Sequence, residues 1–292
     1  MSQGSGHGSI AMTAGAHGLY ELGQAPTLRD QQYSQSVERG LAILRCFTPE
    51  RSVLGISEMA GLTGMSRSTT YRYVITLVAL GYLEQSISRK YRLGLRVTDL
   101  GMAKLNSMCL RRHSRPYLEE LRQCTSFTAS LSVLYGVDIL YVERARSFRR
   151  GQYKIDLNLR LGSRLPAYCT AMGKVLLANL PKSEQNELIA IMTLLRRGPR
   201  TITSKEALGI EIEHVVEKGV AINNEELTPG LVSIAVPVRN ESREAVAALN
   251  LAAHTSMISL AGLVDEFLPH LVATANGISA IPDFRRNDEV SE

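Results

Sequence analysis

The glycine at position 64 stands between two short stretches of helical spacing, and that break constrains the fold of the N-terminal third more than any other feature. Before it lies Gly55-Ile-Ser57, with Ser57 suited to cap a helix that begins at Glu58 and runs to Thr63. Glycine tolerates positive φ, so Gly64 can make the turn. Ser66 then caps a longer segment, Arg67 to Leu80, which Gly81 ends. An earlier helix over Ser36–Phe47 places Val37, Leu41, Leu44 and Phe47 on one face and is closed by Pro49. Two helices around a glycine turn make a helix-turn-helix pattern. The second helix is polar in its first half, at Ser66, Arg67, Ser68, Thr69, Thr70 and Arg72, and apolar at Val74, Leu77, Val78 and Leu80. The N-terminal half of such a helix enters the major groove of DNA, and its free amides can meet a phosphate.

The next residues read as a hairpin, with strands at Tyr82–Glu84 and Tyr91–Leu93 around a loop bearing Arg89 and Lys90. A hairpin with a cationic tip is a wing that can lie along the DNA backbone. Between Ser34 and Arg96 there are nine Arg or Lys and four Glu, an excess of five that equals the net charge of +5 for the whole chain. The positive charge is therefore concentrated in the module expected to meet phosphates. The bland alternative is a helical bundle with a hairpin, its hydroxyls merely capping helices.

At 292 residues, two domains are expected. No apolar run reaches the ~20 residues of a membrane span. Met1–Gln35 lacks the basic start and apolar centre of a signal peptide and reads as a disordered tail. Cys46, Cys109, Cys124 and Cys169 are widely spaced, which fits thiols in a reducing cytoplasm better than disulfides or zinc. His113, His214, His254 and His270 show no metal-ligand spacing, so neither metal nor cofactor is expected. Cys169 near a helix start is a conceivable nucleophile, but no local motif supplies a base. Ala171-Met-Gly-Lys174 lacks the earlier glycine and following hydroxyl of a phosphate loop. No catalytic residue is assigned.

Arg96–Arg112 reads as an amphipathic linker helix carrying Val97, Leu100, Ala103, Leu105 and Met108. Pro116 is expected to open a helix over Tyr117–Cys124. Strands follow at Phe127–Tyr135 and Ile139–Arg144, joined at Gly136–Asp138, with a further strand through Ile155, Leu157, Leu159 and Leu161. Helices are expected at Thr170–Leu180, Ser183–Thr193 and Ser204–Lys218, the last with a capping box at Thr203 and Glu206. Strands near Val220–Asn224, Leu231–Val238 and Ala245–Ala253 precede a final helix over Ser259–Ile278. Hairpins with helices beside them predict an α+β fold with an antiparallel sheet.

Five stretches together resemble the IclR-type family of bacterial transcriptional regulators, over Ser36 to Ala280. They are Ser36-Val-Glu-Arg-Gly-Leu41, Gly64-Met-Ser-Arg-Ser-Thr-Thr-Tyr71, Tyr91-Arg-Leu-Gly94, Leu165-Pro-Ala-Tyr-Cys-Thr-Ala-Met-Gly-Lys174 and Glu225-Glu-Leu-Thr-Pro-Gly-Leu231. The resemblance implies a winged helix-turn-helix, a linker helix and a GAF-like α+β effector domain. It also implies a homodimer or dimer of dimers on a near-palindromic operator in double-stranded DNA, and a small organic acid as effector. The chain looks closest to the branch regulating aromatic-acid catabolism, by the protocatechuate and β-ketoadipate pathway. The expected divisions are a tail at 1–33, a DNA-binding domain at 34–95, a linker at 96–114, an effector domain at 115–281 and a tail at 282–292.

Carried over by position, the effector-binding residues are Ala171 and Met172, whose amides would hold a carboxylate, with Asn223, Ser233, Asn250 and Ala252 on the facing sheet. Some relatives have an acid, a cysteine or serines at those sheet positions. Arg144, Arg146 and Arg164 are further candidates to neutralise a carboxylate. The competing readings are a ligand-binding protein whose winged helix contacts protein, and an enzyme processing small acids.

Overall fold

The computed structural model describes residues 33–48, 50–86, 88–147 and 159–281. They fall into two compact units that divide between Ser107 and Met108. Nearly all of the expected N-terminal tail (1–32), the C-terminal tail (282–292), Pro49, and Ile155 and Leu157 of the expected strand lie outside the described residues.

The first unit holds α1 (Gln35–Arg45), α2 (Ile56–Thr63), α3 (Arg67–Ala79), β1 (Leu83–Gln85), β2 (Tyr91–Leu93) and α4 (Arg96–Ser107). Its core joins Ile43 and Cys46 to Met59, Val74, Leu77, Leu83 and Tyr91. The buried phase of α1 differs from the expected one. Ile43 is wholly enclosed, whereas Val37 and Leu41 are 60% and 46% exposed, because only the last turns of α1 pack in the core. The start of α2 also differs: Gly55 is its cap, and the Glu58 carboxylate accepts the Gly55 N–H at 2.7 Å. Ser57 lies inside the helix. Gly64 ends α2 at φ +68°, as the turn requires.

Strands β1 and β2 pair antiparallel, Leu83 opposite Leu93. Leu54 extends this hairpin by exchanging both backbone hydrogen bonds with Tyr91. Helix α4 leaves Leu100 and Met102 59% and 42% exposed. The expected continuous helix through Arg112 is broken, since Met108 is extended (φ −72°, ψ 100°) and starts a new helix.

The second unit opens with α5 (Cys109–Thr125), which runs through Pro116 instead of starting there. Interior proline costs about 3 kcal/mol, but each buried leucine returns roughly 1.5–3 kcal/mol, and α5 buries Leu110, Leu118 and Leu121. Six antiparallel strands follow: β3 (Thr128–Tyr135), β4 (Asp138–Ala145), β5 (Arg164–Pro166), β6 (Ala221–Asn224), β7 (Leu231–Arg239) and β8 (Ala245–His254), in the order β5-β4-β3-β8-β7-β6. One face carries α5 and α9 (Leu260–Ser279), packed on Leu131, Ile234, Val236, Leu249 and Leu251. The other carries α6 (Ala171–Ala178), with α7 (Lys182–Ile191) and α8 (Lys205–Lys218) beyond it. The α8 cap is one residue later than expected, Ser204 Oγ accepting the Ala207 N–H at 3.1 Å. This is the expected α+β class with an antiparallel sheet. Among the described residues, no helix is long and apolar enough to cross a membrane.

Candidate DNA interface and effector cavity

Helix α3 begins at Ser66, whose hydroxyl accepts the Thr69 N–H at 3.1 Å and also contacts the hydroxyls of Ser68 and Thr69. Buried Val74 and Leu77 fix which side of α3 faces the core. The opposite side exposes Arg67, Ser68 and Arg72. Thr70 is not on it. Its side chain is fully buried and donates to the Ser66 carbonyl at 2.9 Å, because four residues after the cap it shares the inward face with Val74 and Leu77. Thr69 is half-buried beside the cap. Sequence reasoning missed Tyr71, 53% exposed, and Ile75, 39% exposed, each one turn on from its predecessor in the row Arg67–Tyr71–Ile75. The signal was present: the apolar positions Val74 and Leu77 leave 71 and 75 on the other side of the helix.

At the wing tip, Arg89 and Lys90 are both exposed and Arg89 adopts φ +56°. At the base of the wing, Arg92 pairs with Glu84 at 2.8 Å. Arg67, Arg72, Arg89 and Lys90 thus add cationic groups to the exposed surface of this unit.

In the second unit, a cavity of about 170 Å³ lies between the sheet and the start of α6. All six carried-over residues, Ala171, Met172, Asn223, Ser233, Asn250 and Ala252, line it. The strand registers explain why. One cross-strand row runs Arg144–Ser130–Asn250–Ala235, and the next runs Thr128–Ala252–Ser233–Asn223. Residues two apart share a face, so these rows look toward α6 while Leu249 and Leu251 look toward α9. A single register thus assembles polar side chains from five strands.

The start of α6 is held by short contacts. Thr170 Oγ1 accepts the Gly173 N–H at 3.1 Å. Asn223 donates from Nδ2 to the Cys169 carbonyl at 2.6 Å, and its Oδ1 accepts the Glu226 N–H at 3.3 Å. A Cβ at Gly173 would collide with the Ala167 backbone, so only glycine lets the helix come this close to the preceding turn. Lys174 is wholly buried and donates to Glu226 at 2.7 Å and Glu211 at 2.8 Å. Burial raises the Glu226 pKa, an effect that the Lys174 ammonium opposes.

Three groups in the wall have notable electrostatics. Arg144 donates from Nη1 to the Leu159 carbonyl at 2.8 Å, and burial lowers its pKa without threatening its charge. Tyr141 is pushed up to about 12 by burial, so its phenol stays a neutral donor. Asn250, 6% exposed, has a side-chain oxygen enclosed without a hydrogen-bond partner among the described residues. Arg146 also lines the cavity. Arg164 does not; its guanidinium lies 4.0 Å from the centre of the Tyr135 ring. Cys169 is no nucleophile: it is buried and its thiol is pushed up to about 12, by burial first. Among the described residues, no group of three or more His, Cys, Asp or Glu is placed to hold a metal ion.

Comparison with known proteins agrees with both halves of this arrangement. Residues 36–86 match the IclR helix-turn-helix domain, and residues 102–280 match the bacterial transcriptional regulator IclR C-terminal domain. The chain is 34% identical to the Pca regulon regulatory protein of Pseudomonas putida, over 85% of this chain and 84% of that protein. It is also 34% identical to the p-hydroxybenzoate hydroxylase transcriptional activator of Acinetobacter baylyi, over 85% of this chain and 92% of that protein. Among solved structures, an IclR homolog from Microbacterium hydrocarbonoxydans complexed with 4-hydroxybenzoate superposes with a TM-score of 0.69 at 28% identity, covering 84% of this chain and 97% of that one. These relatives are regulators, not enzymes. With a helix-turn-helix unit for DNA and an effector-binding unit behind it, the chain belongs to the IclR family of bacterial transcriptional regulators.

Proposed function

We propose that this regulator senses a single-ring aromatic acid in the cavity over α6 and passes that state to operator binding. The observation that carries the reading is the cavity itself, whose wall combines the start of α6 with Arg144 and whose volume is about 170 Å³. A cavity of ~150 Å³ holds benzene. The first amides of a helix favour an anion, and a cation nearby adds to that. In this reading Ala171 and Met172 hold the carboxylate, Ser233, Asn250 and Ala252 shape the pocket around the rest, and Asn223 keeps the helix start in place. The relatives that govern p-hydroxybenzoate hydroxylase and bind 4-hydroxybenzoate support this ligand class.

For DNA, Arg67, Ser68 and Arg72 of α3 read base edges, Ser66 and Thr69 organise the helix start, and Arg89 and Lys90 hold phosphates. The DNA-binding part is taken as 34–95, the linker as 96–114 and the effector part as 115–281. The protein acts in the cytoplasm as a homo-oligomer on a near-palindromic site. Exposed Leu95, Leu100 and Met102 favour contact with a second copy.

Calorimetry with 4-hydroxybenzoate, with and without an operator fragment selected from random DNA, tests the coupling. Effector and DNA must change each other's affinity by the same factor. Equal effector affinity in both titrations would falsify the sensing mechanism.

A further inference from the structure

The outward face of α3 changes character along its length. Its first half is equipped for charge and hydrogen bonding, with Arg67, Ser68 and Arg72 exposed. Its second half is not. Ile75 is 39% exposed and Ala79 is exposed, and neither side chain carries a polar group. Thr76, also outward, spends its hydroxyl proton on the Arg72 carbonyl at 2.9 Å. Tyr71, exposed one turn before Ile75, adds an aromatic ring to the same row. The core of this unit has no claim on these side chains, since Val74 and Leu77 already supply the inward face of α3.

Resting on the assignment of α3 as the reading helix, we infer that Ile75 reads the 5-methyl group of a thymine in the operator, with the Tyr71 ring one turn away on the same apolar row. The dimensions allow it. Ile75 stands eight residues after Arg67, a rise of about 12 Å along the helix. The major groove is about 12 Å wide, so Ile75 still lies within it when Arg67 has entered.

The chemistry selects the partner. Base edges in the major groove present hydrogen-bonding groups at every pair and one apolar group, the thymine methyl. An aliphatic side chain set against a base oxygen, ring nitrogen or amine strips water from it and returns no hydrogen bond. Set against a phosphate, it does the same to a charge. Against the methyl, both partners leave water at a gain. Cytosine carries only a hydrogen at that carbon, so the contact separates the two pyrimidines. The surrounding charge favours DNA as the occupant of this row: Arg67 and Arg72 on α3 and Arg89 and Lys90 on the wing are exposed in the same unit.

The test uses the full-length protein and an operator that it selects from random DNA, each thymine being exchanged in turn for deoxyuridine, which removes the methyl alone. At one thymine or more, the exchange is expected to weaken binding about threefold or more. In Ile75→Ala the loss at such a thymine should shrink to less than about 1.5-fold, and Ile75→Val should restore part of it. Alanine is the strongest helix former, so α3 keeps its form in the variant. Wild-type protein indifferent to every exchange overturns the inference, as does Ile75→Ala with the wild-type ratio at every thymine. In either case a relaxed base preference in Arg67→Ala leaves α3 standing as the reading helix, and an unchanged preference removes that assignment too. An Ile75→Ala variant that weakens binding to all duplexes alike and alters the oligomeric state would set Ile75 against a second copy of the chain, and the inference fails.

Discussion

The side-chain amide of Asn223 reaches across 2.6 Å to the carbonyl of Cys169, tying the inner face of β6 to the turn that launches α6. The helix start that borders the cavity is therefore positioned by a residue whose amide both donates to and accepts from the protein backbone. Asn223→Ala should cost about 1–3 kcal/mol of stability by leaving a buried carbonyl unmet. It should also weaken effector binding, by loosening the helix start that Asn223 holds. Urea unfolding beside an effector titration checks both; unchanged stability would show that the tie is dispensable.

Within α3, inward and outward residues should separate cleanly. Thr70→Val keeps the shape of a buried side chain and should leave base preference intact, with a stability loss of about 1 kcal/mol for the missing hydrogen bond. Arg67→Ala and Tyr71→Ala should each relax the sequence preference found by selection from random DNA, by ~1–3 kcal/mol at the affected base pair. A changed preference in Thr70→Val would contradict the orientation of α3.

The wing makes a different prediction, because contacts to phosphate carry no sequence information. Arg89→Ala and Lys90→Ala should weaken binding to all duplexes alike. Each should lessen the slope of log affinity against log salt by about 1 for a lost phosphate contact. Equal slopes for wild type and both variants would remove the wing from the interface.

Lys174 sits wholly buried between Glu226 and Glu211, so its removal has a pH signature. Lys174→Met takes away the largest influence that favours the Glu226 carboxylate over its acid, and burial then dominates. The folded-state pKa, already raised above the ordinary 4.5, rises further. Because the folded form then binds more protons than the unfolded chain above that value, stability must fall as pH increases through the window. Thermal melts should show the variant destabilised by about 3–5 kcal/mol near neutrality and closer to wild type near pH 5. A deficit that does not vary with pH would place the loss in packing instead.

Much of this arrangement is legible in the sequence, and the misreadings share physical causes. Gly64, Ser66, Gly81 and Gly219 mark helix ends because their backbone or hydroxyl chemistry is local, and each does so in the structure. The face that a helix buries is not local. Spacing alone put Val37 and Leu41 inward with Leu44, yet the partner surfaces enclose Ile43 and Cys46. Pro116 signals a helix start by itself, but the leucines on either side of it carry α5 through. The break at Met108 has no glycine or proline to announce it. In the cavity, the six residues taken from the resemblance fall together, whereas Tyr141 and Ser130 join them only through a pairing register that no single strand reveals.

The alternation of side chains along β7 and β8 separates two tasks that often conflict in a sensor. Val232, Ile234, Leu249 and Leu251 hold the fold against α5 and α9, while Ser233, Asn250 and Ala252, their immediate neighbours, face the cavity. A change of taste at the second set need not loosen the first. Such a sheet can be re-tuned to a new compound by a few substitutions, so regulators built on it can diverge in what they detect long before they diverge in shape.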